Sequence, residues 1–259
     1  KYEGHYNYDK ARVYYAMILE NPEKARRINV DYRREREKVP LYEYARFFMI
    51  ESDPNDIIEF TNAFPQSILM EPALGKLSSG LRNPETRDKT TAAYEALMKK
   101  YPGNSALVIP YVSYCAREKF NIDRALKLAE QYHEAYRDEA DPNFLQPYAD
   151  LLLQIADEKT ALSVYGEDFV GKNKETWYLI DRYAQFWAEK GKNLQSALNA
   201  SERAVEIRRA YNTLFTLSTV QWKMGKLKEA ISSAEEALKL EPGFTRAERQ
   251  IENIKKEMK

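Results

Sequence analysis

Through the carboxyl-terminal part of the chain, apolar residues recur three or four positions apart in blocks separated by short polar or glycine-containing breaks, which predicts amphipathic helices and not strands. In the last pair of blocks Leu214, Leu217 and Val220 form one stripe, and Leu227, Ile231, Ala234 and Leu238 form the other. Gly225 breaks the chain between them, and Pro242 ends the second block because its ring nitrogen has no hydrogen to donate. Small residues recur across these blocks at a nearly constant interval: Ala125, Ala161, Ala197 and Ala230 are 36, 36 and 33 residues apart. A helix crossing another at close range needs a residue without bulk, so this interval predicts a repeated helical hairpin.

Earlier units keep the logic with fewer of the marks. The stretch 177–210 has Ile180, Tyr183, Ala184, Gly191, Ala197, Ala204 and Ile207, with one extra residue at Lys192-Asn193 and no closing proline. Tyr148, Ala149 and Ala161 preserve the spacing in 142–168, as do Val112, Ser113, Ala125, Ala129 and Tyr132 in 106–137, and both of these units lack the turn glycine. In the first hundred residues a different cue recurs: Asn21-Pro22, Asp53-Pro54 and Asn83-Pro84, 32 and 30 residues apart, each pair a capping side chain with a proline suited to the first helical turn. Helix-like stretches precede them at 11–19, 41–50 and 69–81 and follow them at 25–32, 57–64 and 92–98, which predicts three more hairpins. Asp141-Pro142 repeats the device, and Pro40, Pro65, Pro72 and Pro102 mark helix boundaries. Within 65–82, Pro65, Pro72, Gly75, Ser78, Ser79 and Gly80 predict a short or irregular helix, and any hinge or domain boundary is expected there. The expectation is an all-α fold, an α-α superhelix or solenoid of about seven helical hairpins. It divides into a degenerate hairpin region over 1–104 and a more regular array over 105–259. The last segment, 245–258, has the thin stripe Ala247, Ile251, Ile254 and Met258 of a capping helix.

Counted back from Ala230, the residues Leu214, Leu217, Ser218, Gly225, Ala230, Ala237 and Pro242 stand at the offsets that define a tetratricopeptide repeat. The stretch 211–244 resembles that family; the resemblance is clear over 177–244, degenerate upstream, and covers roughly three-fifths of the chain. It implies a superhelix whose inner groove is lined by first helices, where a partner's extended segment or helix lies across several units. The family's groove offsets fall on Tyr178, Asp181, Gln185 and Glu189 in one unit and on Asn212, Phe215, Thr219, Trp222 and Lys223 in the next. In the unit from 142 they fall on Asn143, Gln146, Asp150 and Leu153. Tyr178, Phe215 and Trp222 are the expected anchors, because aromatic side chains bury much area with few rotors. For Phe215 and Trp222, packing against the neighbouring hairpin is an equal reading. Family members that clamp the carboxyl tail of heat-shock chaperones use lysine and asparagine at two of these offsets. Here the same places hold Pro110 and Tyr114, Gln146 and Asp150, Asp181 and Gln185, Phe215 and Thr219, so that clamp is not expected.

Composition adds limits. Hydrophobic residues make up 44% of the 259, ample for a core, and the 31% that are charged suit solvated helix surfaces. Forty basic and forty acidic residues cancel, so no long-range field gathers a polyanion, and nucleic acid is not an expected partner. The one basic run, 24–38, reads as a helix face laced with ion pairs or, less simply, as a patch for phosphate or an acidic partner. A single cysteine, Cys115, cannot form an internal disulfide and fits a buried apolar position. His5 and His133 lie too far apart for a helix-face metal pair, and His133 reads as a surface residue. The 75–80 region lacks the lysine-serine pair and strand context of a phosphate loop, and Asn199-Ala200-Ser201 matches a glycosylation acceptor only formally, inside a predicted helix. Catalysis, a metal and a cofactor are therefore not expected, nor is membrane insertion.

Function then reads first as a non-catalytic scaffold that binds a peptide or protein in the groove. The chain opens at Lys1 and not at methionine, which suggests a processed form or a piece of something longer. That motivates a second reading: the helical accessory region of a larger multidomain bacterial enzyme, thiol-disulfide or hydrolytic, with its catalytic domain upstream. A third is an array that pairs with itself. Compartment and partner identity are not legible.

Overall fold

The computed structural model describes residues 53–136 and 141–258, together with Glu43, Arg46, Phe47 and Ile50. The hairpin expected around Asn21-Pro22, the basic run 24–38, Pro40 and His5 lie outside the described residues, as does most of 41–50. All the regular structure described is helical, and it falls into two compact units divided between Arg137 and Asp138.

The first unit contains α1 (Pro54–Ala63), α2 (Met70–Gly75), α3 (Leu77–Arg82), α4 (Arg87–Lys100), α5 (Ser105–Glu118) and α6 (Ile122–Tyr136). The capping device expected from sequence starts α1: the Asp53 side chain accepts from the Asn55 amide at 2.9 Å with Pro54 in the first turn. At Asn83 the side chain accepts from the Glu85 amide instead, closing a turn, and α4 begins only at Arg87. The stretch 65–82 is broken into two six-residue helices, α2 and α3. Lys76 sits at the break, its ammonium donating to the carbonyls of Phe47 and Ile50 at 3.1 and 2.7 Å and lying over the Phe47 ring. Gly80 allows α3 to meet α4, since a Cβ there would press into the Thr90 hydroxyl, which is wholly buried.

The second unit contains α7 (Pro142–Gln154), α8 (Glu158–Val164), α9 (Glu167–Lys172), α10 (Trp177–Lys190), α11 (Leu194–Ile207), α12 (Tyr211–Lys223), α13 (Leu227–Leu240) and α14 (Thr245–Glu257). Asp141 caps α7 as Asp53 caps α1. The second helix of the first hairpin is split into α8 and α9 at Gly166, where a Cβ would overlap the Leu162 carbonyl oxygen. Tyr165 at this break is almost completely buried and holds together an aromatic core with Phe169, Tyr183 and Phe186. Its carbonyl accepts from Trp187 Nε1 at 2.9 Å.

Ala125, Ala161, Ala197 and Ala230 have no exposed surface, as helix crossings at small residues require. At the last crossing the contact is also polar: the Ser218 hydroxyl donates to the Ala230 carbonyl at 2.6 Å and accepts from Gln250 of α14 at 2.7 Å. The terminal helix buries Ala247, Ile251 and Ile254 against this pair, with Phe215, Ile231, Leu238 and Phe244 packed around Ala247 and Ile251.

The turns explain why the repeat persists where its glycine is missing. In four hairpins the amide just past the turn reaches back five residues: Phe120 to Cys115, Asp157 to Leu152, Lys192 to Trp187 and Lys226 to Gln221, all at 2.9–3.1 Å. This six-to-one bond belongs to a helix end with a left-handed residue after it. Gly191 and Gly225 take that conformation at φ 64° and 75°, and Ala156 and Lys119 take it at 62° and 54° without glycine's freedom. A side chain held there costs about 1–2 kcal/mol, offset in part by glycine's greater chain entropy. Ala156→Gly and Lys119→Gly are each expected to stabilise by about 0.5–1 kcal/mol. Urea midpoints check this; Trp177, Trp187 and Trp222 all lie in the second unit, so fluorescence reads Ala156→Gly there, and helical circular dichroism reads Lys119→Gly.

A second repeated device accompanies the turns. Asn121 and Asn193 both hold positive φ, 46° and 48°, and each donates its amide to a tyrosine hydroxyl ten residues earlier, Tyr111 at 3.4 Å and Tyr183 at 2.8 Å. Burial pushes both phenols up to about 12, so each stays protonated and the amide–hydroxyl bond is insensitive to neutral pH. Cys115 is buried beside Tyr111, and burial raises its thiol to about 12, which makes it an inert packing residue.

Candidate partner-binding face

In the second unit the first helices α7 and α10 are joined by side-chain bonds, and so are the first helix α12 and the terminal helix α14. Arg182 of α10 donates to Asn143 and Gln146 of α7 at 2.7 and 3.2 Å, and Lys190 pairs with Asp150. Further along, Thr219 of α12 donates to Gln250 of α14 at 3.2 Å, and Trp222 Nε1 donates to Glu257 at 2.8 Å. Helical spacing places Tyr178, Asp181, Arg182, Gln185 and Glu189 on the same side of α10.

Exposure among the groove residues is uneven. Tyr178 is 52% exposed, its ring edge-on to Trp177, which in turn stacks under the Arg208 guanidinium at 4.6 Å. Gln185 is half-buried and donates to the exposed Glu189 at 2.8 Å. On α12, Asn212 is half-buried and Lys223 exposed, with the Lys223 ammonium over the Trp222 ring. Phe215 is half-buried against Phe244, with the Arg246 guanidinium over its ring, so its packing partners are the terminal helix and the turn before it. Trp222 is likewise half-buried with its nitrogen engaged. Leu153 of α7 is half-buried.

Asp181 differs from its neighbours. It is only 8% exposed, and its Oδ1 has no hydrogen-bond partner. Burial pushes the carboxyl up from 3.8 to about 6, against a smaller opposing effect of the Thr216 hydroxyl on α12. A sequence reading of this position as one more polar groove residue does not convey that burial. Two further residues that make these bonds, Arg182 and Gln250, were not singled out from sequence; Arg182 directly follows a groove position, and a long side chain there reaches the preceding first helix.

Among the described residues no cluster of three or more His, Cys, Asp or Glu side chains is placed to hold a metal ion. His133 is half-buried on α6, and Ser201 of the formal glycosylation acceptor is wholly buried within α11, donating to the Leu198 carbonyl. No helix among the described residues is long and apolar enough to cross a membrane.

Stacked hairpins, small-residue crossings, glycine-type turns and a terminal helix over the last pair define a helical-repeat protein. Its fold is similar to that of solved helical-repeat structures, among them a tetratricopeptide-repeat protein. The thermophilic TPR protein TTC0263 of Thermus thermophilus is 17% identical, with 71% of this chain and 98% of that one covered and a TM-score of 0.51. Human IFIT1, solved as a dimer with m7Gppp-AAAA, is 13% identical over 96% of this chain and 63% of that one, at a TM-score of 0.53. The APC/C hetero-tetramer Cut9-Hcn1 gives 14% identity, coverages of 88% and 46%, and a TM-score of 0.52. No family model matches the chain, and no curated protein sequence matches it.

Proposed function

We propose that this protein is a non-catalytic interaction scaffold that holds a peptide or protein segment across the first-helix face of its second unit. Tyr178, Gln185 and Glu189 of α10 and Asn212, Thr219 and Lys223 of α12 make the contacts, Asp181 lies beneath them, and Phe215 and Trp222 are braced by the terminal helix. One observation carries the reading: Tyr178 is a large aromatic side chain left half in solvent, one helical turn from a buried carboxylate with an unpaired oxygen. A folded chain gains nothing by itself from either feature, whereas a bound segment covers the ring and supplies a donor.

Capture of a partner from the native lysate, followed by measured affinities for variants, tests it. Tyr178→Ala is expected to weaken the captured partner by about ten-fold or more, the loss of one aromatic anchor. Trp222→Ala is expected to weaken it less and to lower stability as well, since its ring also packs the terminal helix. Undiminished affinity in a folded Tyr178→Ala variant refutes the assignment of this face.

A further inference from the structure

In the first unit, Arg82 at the end of α3, Arg87 at the start of α4 and Arg117 in the last turn of α5 line one cavity of about 340 Å³ with Tyr114 and Glu118. Three guanidinium groups face one carboxylate there. Glu118 is taken by its neighbour, accepting from Arg117 Nε at 2.8 Å. Arg87 Nε donates to the Leu81 carbonyl at 3.3 Å, which fixes the plane of its fork and leaves both terminal nitrogens. Neither Arg82 nor Arg87 has an acidic partner among the described residues.

Arg82 and Arg117 close their helices, where a cation opposes the negative helix end. Arg87 opens a fourteen-residue helix, where the positive end repels it, so its placement beside two other guanidiniums is unfavourable until a negative charge arrives. Tyr114 adds a fourth donor. Its ring packs edge-on to Phe120, it is only 5% exposed, and it lines the cavity.

We propose that this cavity binds a phosphate monoester, the phosphorylated side chain of a protein partner. The source, a protein, rests on the scaffold reading above; the anion site does not. Two uncompensated guanidinium forks match a charge of nearly −2, and three phosphate oxygens use donors that a planar carboxylate leaves idle. The cavity is larger than a phosphate group and accommodates the side chain that carries it. Nucleic acid fits less well: a strand needs a continued basic track, whereas Glu118 stands at this site and the chain's charges cancel.

The test uses the full chain in chloride buffer, titrated with phosphotyrosine amide, phosphoserine amide, their unphosphorylated counterparts, inorganic phosphate and a ten-nucleotide oligouridylate. At least one phosphoamino acid amide is expected to bind while its unphosphorylated counterpart does not, and to bind more tightly than inorganic phosphate. Arg82→Gln, at an exposed position, and Arg87→Gln, at a half-buried one, are each expected to weaken it about ten-fold, the loss of one charge-assisted pair. Tyr114→Phe weakens it by a smaller factor, and Lys89→Gln, outside the cavity, leaves it unchanged. Equal binding of phosphorylated and unphosphorylated amides, or binding that survives both arginine variants, overturns the site. Inorganic phosphate binding as tightly as the amides overturns the side-chain source, and oligouridylate binding more tightly through the same arginines overturns the protein source. Phosphate binding that fails while Tyr178-dependent capture persists removes this proposal alone; the reverse pattern removes the groove alone.

Discussion

Trp187→Ala is expected to cost the second unit about 3–5 kcal/mol, the largest loss of any single truncation considered for this protein. The indole has no exposed surface and is packed edge-on against Tyr183 and Phe186. Its nitrogen satisfies the Tyr165 carbonyl at the break between α8 and α9, so truncation leaves a cavity and also an orphaned acceptor. Urea unfolding followed by the remaining tryptophans, Trp177 and Trp222, measures the loss. A loss of unfolding free energy smaller than about 1 kcal/mol would show that this aromatic cluster is not what joins the split helix to its neighbours.

Asp181→Asn is expected to move stability and binding in opposite directions. The folded protein holds the Asp181 carboxyl at about 6 against an ordinary 3.8, so between these values the native state binds more protons than the unfolded chain. Stability associated with this group is therefore fully present below about pH 4, falls as pH rises toward 6, and stays reduced above it. A shift of this size corresponds to about 3 kcal/mol, reduced in the asparagine variant by the cost of an amide with an unpaired group. The variant is expected to unfold at higher urea at pH 7, to lose that pH-dependent decline, and to bind the captured partner more weakly. A variant whose stability still falls from pH 4 to 6 as the parent's does would show that another group carries the titration.

How much of this was legible in the sequence depends on whether a feature is local. The buried crossings at Ala125, Ala161, Ala197 and Ala230 follow from side-chain size and spacing, and Asp53 and Asp141 act as caps through residues two positions away. The break in 65–82 follows from its prolines and glycines, although the division into two compact units falls elsewhere, after Arg137. The left-handed turns at Lys119 and Ala156 were not legible, because the surrounding helices impose a conformation that neither residue prefers. Nor was the break at Gly166, where one residue's backbone excludes a side chain. Asp181 reads as an ordinary polar position until the packing of α10 on α12 buries it. The arginines at 82, 87 and 117 come together only through the packing of three helices, a relation no short window contains.

Hydrogen exchange of the full chain, with and without its captured partner, tests most directly where that partner lies. Binding across the first-helix face is expected to slow exchange in Trp177–Lys190 and Tyr211–Lys223, with little change in Leu194–Ile207 and Leu227–Leu240. Protection concentrated in those second helices, with the first helices exchanging as in the free protein, would contradict the account.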